Sequence, residues 1–119
     1  HNANVFLINT GWAGGAYGTG KRMPLKVTRA IIDTIHDGTI NTAEFETIPG
    51  WGLRVPKALN NVPSHFLNPY NAWQDKKAFV DTINKLAGMF QKNFKAKYAD
   101  KADEDMKSAV PQIYVPSRL

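Results

Sequence analysis

The chain has 119 residues, contains no cysteine and carries a formal net charge of +5, with an isoelectric point near 9.6. The absence of cysteine excludes a disulfide scaffold and thiolate metal sites, and no stretch approaches the roughly 18 apolar residues of a membrane span. The basic charge suits nucleic acid, phosphate ligands or a solvated surface; because the late lysines alternate with acidic residues, it favours a solvated helix face.

Residues 4–9 form a mostly apolar run, Asn-Val-Phe-Leu-Ile-Asn, close to the start of the chain. Such a run is typical of a strand buried on both faces of an α/β sheet. A single strand is not stable without partners, and few other segments of this sequence favour strand. We therefore expect its partner strands to lie elsewhere, and the chain to be a C-terminal segment of a longer protein.

A glycine-rich loop at residues 14–20 follows, and it ends in two adjacent cations, Lys21 and Arg22. Residues 15–22 nearly match the phosphate-binding pattern G-x-x-x-x-G-K-[ST]. Arg22 occupies the last position, so the hydroxyl that would hold Mg²⁺ is missing, and no strand ending in Asp follows to supply a second metal ligand. We reject a phosphate-binding P-loop; a flexible glycine turn before a helix is at least as good an interpretation.

The first helix is predicted from Pro24 or Leu25 to Asp37, with Gly38 as its C-terminal stop. The i, i+3, i+4, i+7 spacing predicts one apolar face, made of Thr28, Ile31, Ile32 and Ile35. A hydroxyl on such a face requires a hydrogen-bond partner. For Thr28 that partner is either the backbone carbonyl one turn earlier or a ligand nitrogen.

The middle of the chain, residues 39–56, is predicted to be a connector with one or two short strands, and residues 60–69 a loop. The three histidines show no metal-ligand spacing.

A long second helix is predicted from Ala72 or Lys76 to about Tyr98, capped by Asn71 or Asp75. The residues of its buried face share helical spacing: Phe79, Ile83, Leu86, Phe90 and Phe94. After Ala99 the charged sequence and the prolines discourage further helix.

The chain ends in Ser117, Arg118 and Leu119, which is similar to the peroxisomal address Ser-Lys-Leu at the extreme C-terminus. The alternative is a chance tail. We interpret the tripeptide as an address to a peroxisome-type organelle; without it, the expected location is the cytoplasm.

Several of these motifs together resemble the C-terminal part of ATP-dependent phosphoenolpyruvate carboxykinases. Residues 9–12 read NTGW, residues 18–22 read GTGKR, residues 28–32 read TRAII and residues 33–40 read DTIHDGTI. The proline pattern of residues 56–69 and the helix after Trp73 extend the likeness to about Phe94. The tail matches members of the family found in glycosomes, which suggests a glycosomal-type member.

The resemblance implies an α/β fold in which residues 1–119 are the C-terminal part of the carboxykinase nucleotide-binding domain, a mixed sheet with flanking helices. It implies an enzyme, a decarboxylating lyase, that converts oxaloacetate and ATP to phosphoenolpyruvate, ADP and CO₂ in gluconeogenesis. Mg²⁺ accompanies ATP and Mn²⁺ serves the oxaloacetate site. The P-loop and metal ligands lie upstream of this segment, so the segment alone is expected to be inactive.

By the same resemblance, three residues form one wall of the ATP site. Arg22 matches an arginine that packs against the nucleotide, Met23 matches the next residue of the family motif, and Thr28 matches a threonine that contacts adenine. We expect no nucleic-acid or membrane partner for this chain, and a homodimer is possible. The alternatives kept open are a basic nucleic-acid-binding module and a structural module in which the glycine loop is only a turn.

Overall fold

The computed structural model describes residues 1–114, which contain two small antiparallel hairpins and four α-helices, besides two short 3₁₀ helices at Thr39–Thr42 and Ser64–Phe66. In chain order the strands and α-helices are β1 (Trp12–Ala13), β2 (Lys21–Arg22), α1 (Leu25–His36), β3 (Phe45–Thr47), β4 (Arg54–Pro56), α2 (Pro69–Ala72), α3 (Lys76–Lys97) and α4 (Glu104–Ser108). This mixture of helices and small sheets is consistent with a fragment of an α/β protein. No helix within residues 1–114 is both long and apolar enough to span a membrane. The tripeptide Ser117, Arg118 and Leu119 lies outside the described residues.

The predicted strand at residues 4–9 is wrong for this chain. Residues 1–10 have no regular secondary structure, and Val5 and Leu7 are each 89% exposed. The apolar composition predicted a buried strand, but a strand forms only when a neighbour accepts its hydrogen bonds. No strand within the described residues pairs with it.

The glycine loop is the turn of the first hairpin. β1 pairs antiparallel with β2, with Trp12 opposite Arg22 and Ala13 opposite Lys21. The amides of Thr19 and Gly20 both donate to the carbonyl oxygen of Ala16, at 3.0 and 2.8 Å. The loop therefore brings its two cations back beside the first strand.

Helix α1 begins and ends within one residue of the positions that Pro24 and Gly38 predict. Pro24 has the extended ψ of 141° just before the first turn, and Gly38, at φ +82°, ends the segment in a conformation that glycine adopts without strain. The buried face is rotated by about one residue from the predicted one. Val27 and Thr34 are buried, whereas the four predicted residues are only half-buried. The helix packs along positions 27, 31 and 34, which also satisfy the i, i+4, i+7 spacing.

The second hairpin confirms the predicted strands of the connector. β3 pairs antiparallel with β4, and Phe45 lies opposite Pro56. The amide of Ile48 donates to the carbonyl oxygen of Leu53 at 2.8 Å, and Gly50 and Gly52 make the turn with positive φ values of 80° and 70°. The guanidinium of Arg54 lies 5.2 Å from the centre of the Phe45 ring.

Helix α3 starts at Lys76, the later of the two predicted positions. The carboxylate of Asp75 accepts the amide of Ala78 at 3.0 Å and so caps the helix. The earlier start at Ala72 with an Asn71 cap is wrong, because Trp73 is extended (ψ 130°) and separates α2 from α3. Asn71 instead lies inside α2, which Asn68 caps.

Replacing Asp75 by Ala is expected to lower the free energy of unfolding by about 1 kcal/mol, because the amide of Ala78 loses its acceptor. Asn71→Ala is the matched control and should change the stability by less than about half as much, since Asn71 caps no helix. Urea unfolding of both variants measures the difference. Equal losses would contradict the assignment of the cap.

The predicted buried face of α3 is only partly buried. Phe79 is 7% exposed, Ile83 and Phe94 are half-buried, and Leu86 and Phe90 are 43% and 50% exposed. The ring of Trp51 contacts Phe90 edge-on, with centroids 5.4 Å apart, and covers only part of it. Periodicity identified the apolar stripe, but described residues cover mainly its first half.

The chain forms one further helix after Ala99, contrary to the prediction. Helix α4 is capped by Asp103, whose carboxylate accepts the amide of Met106 at 2.8 Å. Its five residues end before Pro111, so the proline stops this helix without preventing it.

Candidate functional site

The three predicted ATP-site residues lie around the corner between β2 and α1. Arg22 is the last residue of β2, and the amide of Met23 donates to the carbonyl oxygen of Gly11 at 3.0 Å, which extends the hairpin by one bond. Pro24 then turns the chain into α1, and Thr28 lies in its first turns, with its amide bonded to the carbonyl oxygen of Pro24 at 3.2 Å. The backbone on both sides of the corner is therefore fixed.

The guanidinium of Arg22 is exposed and not engaged by the rest of the described chain. The ion pairs among residues 1–114 use Lys57, Lys77 and Lys107, and the cation–π contacts use Arg54 and Lys76. Arg22 belongs to neither group. Its planar fork of donors is thus available to an aromatic face or an anion.

The hydroxyl of Thr28 also has no protein partner among the described residues. Three other threonines, Thr34, Thr42 and Thr82, donate to a backbone carbonyl about one turn earlier. Thr28 makes no such bond, although its side chain is half-buried. Of the two partners that the sequence left open, the backbone carbonyl is not used.

Met23 is half-buried and lines an apolar cavity of about 840 Å³. The cavity lies between the segment of residues 4–9, helix α1 and the second hairpin, and its walls include Phe6, Ile8, Ile31, Ile35, Phe45 and Val55. Arg22 and Thr28 do not line it. The structure therefore brings the three residues to one corner but gives only Met23 to the apolar cavity.

Two further residues, Trp12 and Gly11, belong to this corner. Trp12 is the cross-strand neighbour of Arg22, is 51% exposed and contacts Tyr17 edge-on at 5.2 Å between ring centroids. Gly11 supplies the carbonyl that holds Met23. The signal for both was the hairpin: a glycine loop between two short extended pieces predicts that the residues flanking it meet.

The described residues form no metal centre at the β2–α1 corner. Within residues 1–114 no three His, Asp or Glu side chains lie close enough together to hold a metal ion. Hydrogen bonds from the amide and hydroxyl of Thr39 lower the pKa of Asp37, and the carboxylate of Asp81 raises the pKa of Lys77 through a hydrogen bond and its charge. Neither shifted group lies at the corner.

Comparison with known proteins identifies the class. Residues 1–65, more than half of the chain, match the family described as phosphoenolpyruvate carboxykinase. The chain belongs to this family. Family membership favours the carboxykinase interpretation over the nucleic-acid-binding or purely structural alternatives.

Similar proteins carry the name phosphoenolpyruvate carboxykinase (ATP), a lyase. The chain is 50% identical over 113 residues to the protein of that name from Rhodopseudomonas palustris (strain TIE-1) and to that from Bradyrhizobium diazoefficiens. It is 54% identical over 114 residues to the one from Campylobacter lari. Each match covers 95% of this chain but only 21–22% of the relative, so the chain spans about a fifth of their length. These relatives give no support for a glycosomal-type member.

Proposed function

We propose that residues 1–119 are the C-terminal segment of an ATP-dependent phosphoenolpyruvate carboxykinase and form one wall of its adenine pocket. The complete enzyme would convert oxaloacetate and ATP to phosphoenolpyruvate, ADP and CO₂ in gluconeogenesis. The segment would belong to the nucleotide-binding domain, a mixed sheet with flanking helices. The exposed apolar side chains of Val5 and Leu7 support this, since an exposed apolar patch marks a surface that contacts another part of a protein.

The observation that carries the proposal is the unused bonding capacity on both sides of the β2–α1 corner. Among residues 1–114, Arg22 offers a guanidinium without an ion-pair or cation–π partner, and Thr28 offers a hydroxyl that does not bond to its own helix, unlike those of Thr34 and Thr82. A guanidinium can lie over a purine face, and a short hydroxyl can hydrogen-bond to the edge of the ring. Met23 provides apolar contact beside them.

The Mg²⁺ and Mn²⁺ ions that the family implies do not fit the described residues, because residues 1–114 contain no cluster of metal ligands. These ions would be held elsewhere in the enzyme, as would the groups that bind the phosphates and oxaloacetate. The role of this segment would be to bind and orient the base of ATP. On its own it would be inactive.

Hydrogen exchange of the complete enzyme with and without ATP tests this proposal. ATP is expected to slow exchange at the amides of residues 22–28, while GTP at equal concentration leaves them unchanged. Parallel assays of phosphoenolpyruvate formation from oxaloacetate, with ATP and then GTP, confirm that the enzyme is active and prefers ATP. Saturation with ATP that leaves residues 22–28 unprotected would show that the corner is only a structural turn.

The organelle address remains a separate proposal that rests on the tripeptide Ser117, Arg118 and Leu119 alone. A fluorescent fusion that keeps these residues at the extreme C-terminus should enter peroxisome-type organelles. The same fusion without them should stay in the cytoplasm. Identical distributions would show that the tripeptide is a chance tail.

A further inference from the structure

The last described residues, 111–114, have no regular secondary structure and lie against helix α3 and the turn of the second hairpin. The side-chain amide of Asn84 bonds twice to the backbone of Tyr114: it donates to the carbonyl oxygen and accepts the amide, both at 2.8 Å. The side-chain amide of Gln91 donates to the carbonyl oxygen of Pro111 at 2.7 Å. The amide of Gln112 donates to the carbonyl oxygen of Gly50 at 2.6 Å.

The spacing of the two helix amides matches that of an extended chain. Asn84 and Gln91 are seven residues apart, so they lie on one face of α3 and about 10.5 Å apart along its axis. Pro111 and Tyr114 are three residues apart, which spans about 10 Å in an extended chain. The earlier helix residue binds the later segment residue, so the segment runs antiparallel to α3.

All four hydrogen bonds go to the backbone of the segment. The amides of Gln112 and Tyr114 are bonded, whereas the amide of Ile113 has no partner among the described residues and its side chain is 52% exposed. Hydrogen bonds at alternate residues are typical of extended backbone. The site therefore recognises extended backbone and not particular side chains.

Gly50 is fitted to this segment in two ways. Its φ of +80° lies in the left-handed region, and a Cβ there would overlap the carbonyl oxygen of Gln112. Gly52, in the same turn at φ +70°, has no atom within 4 Å of the place a Cβ would occupy. Only Gly50 is thus required for close approach of the segment.

We propose that Asn84, Gln91 and Gly50 form a peptide-binding site, the tail clamp, whose occupant is residues 111–114 of the same chain. By bonding at once to α3 and to the turn at Gly50, the segment fastens the second hairpin to the helix. A cavity of about 200 Å³ remains beside Tyr114 between the hairpin, α2 and α3, which shows that these elements do not fill the space between them. The tail clamp is a polar link across that gap between the hairpin and α3, whereas the hydrogen bond from the side-chain amide of Asn68 to Glu46 links α2 to the hairpin.

Hydrogen exchange of the intact protein, resolved to single amides by electron-transfer fragmentation, tests the tail clamp without any ligand. The expected pattern in the unaltered protein is slow exchange at Gln112 and Tyr114 and fast exchange at Ile113. Asn84→Leu should speed exchange at Tyr114 by about tenfold or more, because two hydrogen bonds are lost. Asn93→Leu, at an exposed position of the same helix, should leave it unchanged.

The glycine pair provides a matched test from the other side of the site. Gly50→Ala should speed exchange at Gln112 and Tyr114 by about tenfold, whereas Gly52→Ala strains the same turn and should leave both slow. Fast exchange at Gln112 and Tyr114 in the unaltered protein would overturn the proposal. So would equal effects of the two alanine variants. Because ATP is absent from these measurements, their failure would leave the proposed adenine site standing.

Discussion

Replacing Arg22 by Ala in the complete enzyme is expected to raise the KM for ATP about 2- to 30-fold. The range is the loss of a cation–π contact worth roughly 0.5–2 kcal/mol. Arg22 is exposed, and within residues 1–114 its guanidinium makes no ion pair and no cation–π contact that the substitution would remove. Initial rates of phosphoenolpyruvate formation at varied ATP and saturating oxaloacetate measure the effect.

Arg29→Ala is the matched control for Arg22, since it removes the same side chain from an exposed position of α1. It should leave the KM for ATP within about twofold of the unaltered enzyme. Similar increases for both variants would indicate a general effect of surface charge on ATP, which salt would screen. An unchanged KM in Arg22→Ala would remove Arg22 from the site.

Replacing Phe79 by Ala is expected to cost about 3–5 kcal/mol of unfolding free energy. Phe79 is 7% exposed and receives the rings of Tyr70 and Trp73 edge-on, at centroid distances of 5.5 and 5.7 Å. It joins the start of α3 to Tyr70 of α2 and to Trp73 in the connection between the two helices, so truncation leaves a cavity and removes two aromatic contacts. Urea unfolding of the intact protein, followed by tryptophan fluorescence, measures the loss.

Phe79→Leu is the graded control, because leucine refills much of the volume that alanine leaves empty. Its cost should be well under half that of Phe79→Ala. If both substitutions cost less than about 1 kcal/mol, Phe79 would not anchor α3.

The elements that sequence predicted well are those whose boundaries are set locally. Helix α1 is bounded by Pro24 and Gly38, and both residues act through their own backbone preferences. The second hairpin is marked by the glycines at positions 50 and 52, which adopt the positive φ values of its turn. The sequence predicted Asn71 or Asp75 as the N-cap of α3. The extended backbone of Trp73 rules out a helix that runs on from Asn71, so Asp75 is the cap.

The features that sequence did not predict depend on what lies opposite each residue. The run at residues 4–9 is apolar enough for a buried strand, but its hydrogen-bond partners are absent from the described chain. The apolar stripe of α3 was predicted, yet Leu86 and Phe90 are exposed in the structure. Apolar spacing identifies a helix face but does not reveal which residues cover it. The side-chain amides of Asn84 and Gln91 hydrogen-bond to residues 111–114, and a sequence does not show which distant backbone such amides contact.

The candidate ATP site likewise has parts that the sequence predicted and parts that it did not. Family likeness selected Arg22, Met23 and Thr28, and the structure gathers them around one corner. The hairpin that fixes this corner, through Gly11 and Trp12, depends on pairing across the glycine loop. That pairing could have been inferred from the loop, whereas the apolar cavity beside Met23 could not, since it is formed by three separate parts of the chain.

Photolabelling of the complete enzyme with 8-azido-ATP, followed by peptide mapping, tests the adenine site most directly. The azide sits on the base, so the account predicts a covalent label within residues 22–28 that excess ATP abolishes and excess GTP does not. Efficient, ATP-protected labelling that falls wholly outside residues 22–28 would contradict the assignment of the adenine pocket to the β2–α1 corner.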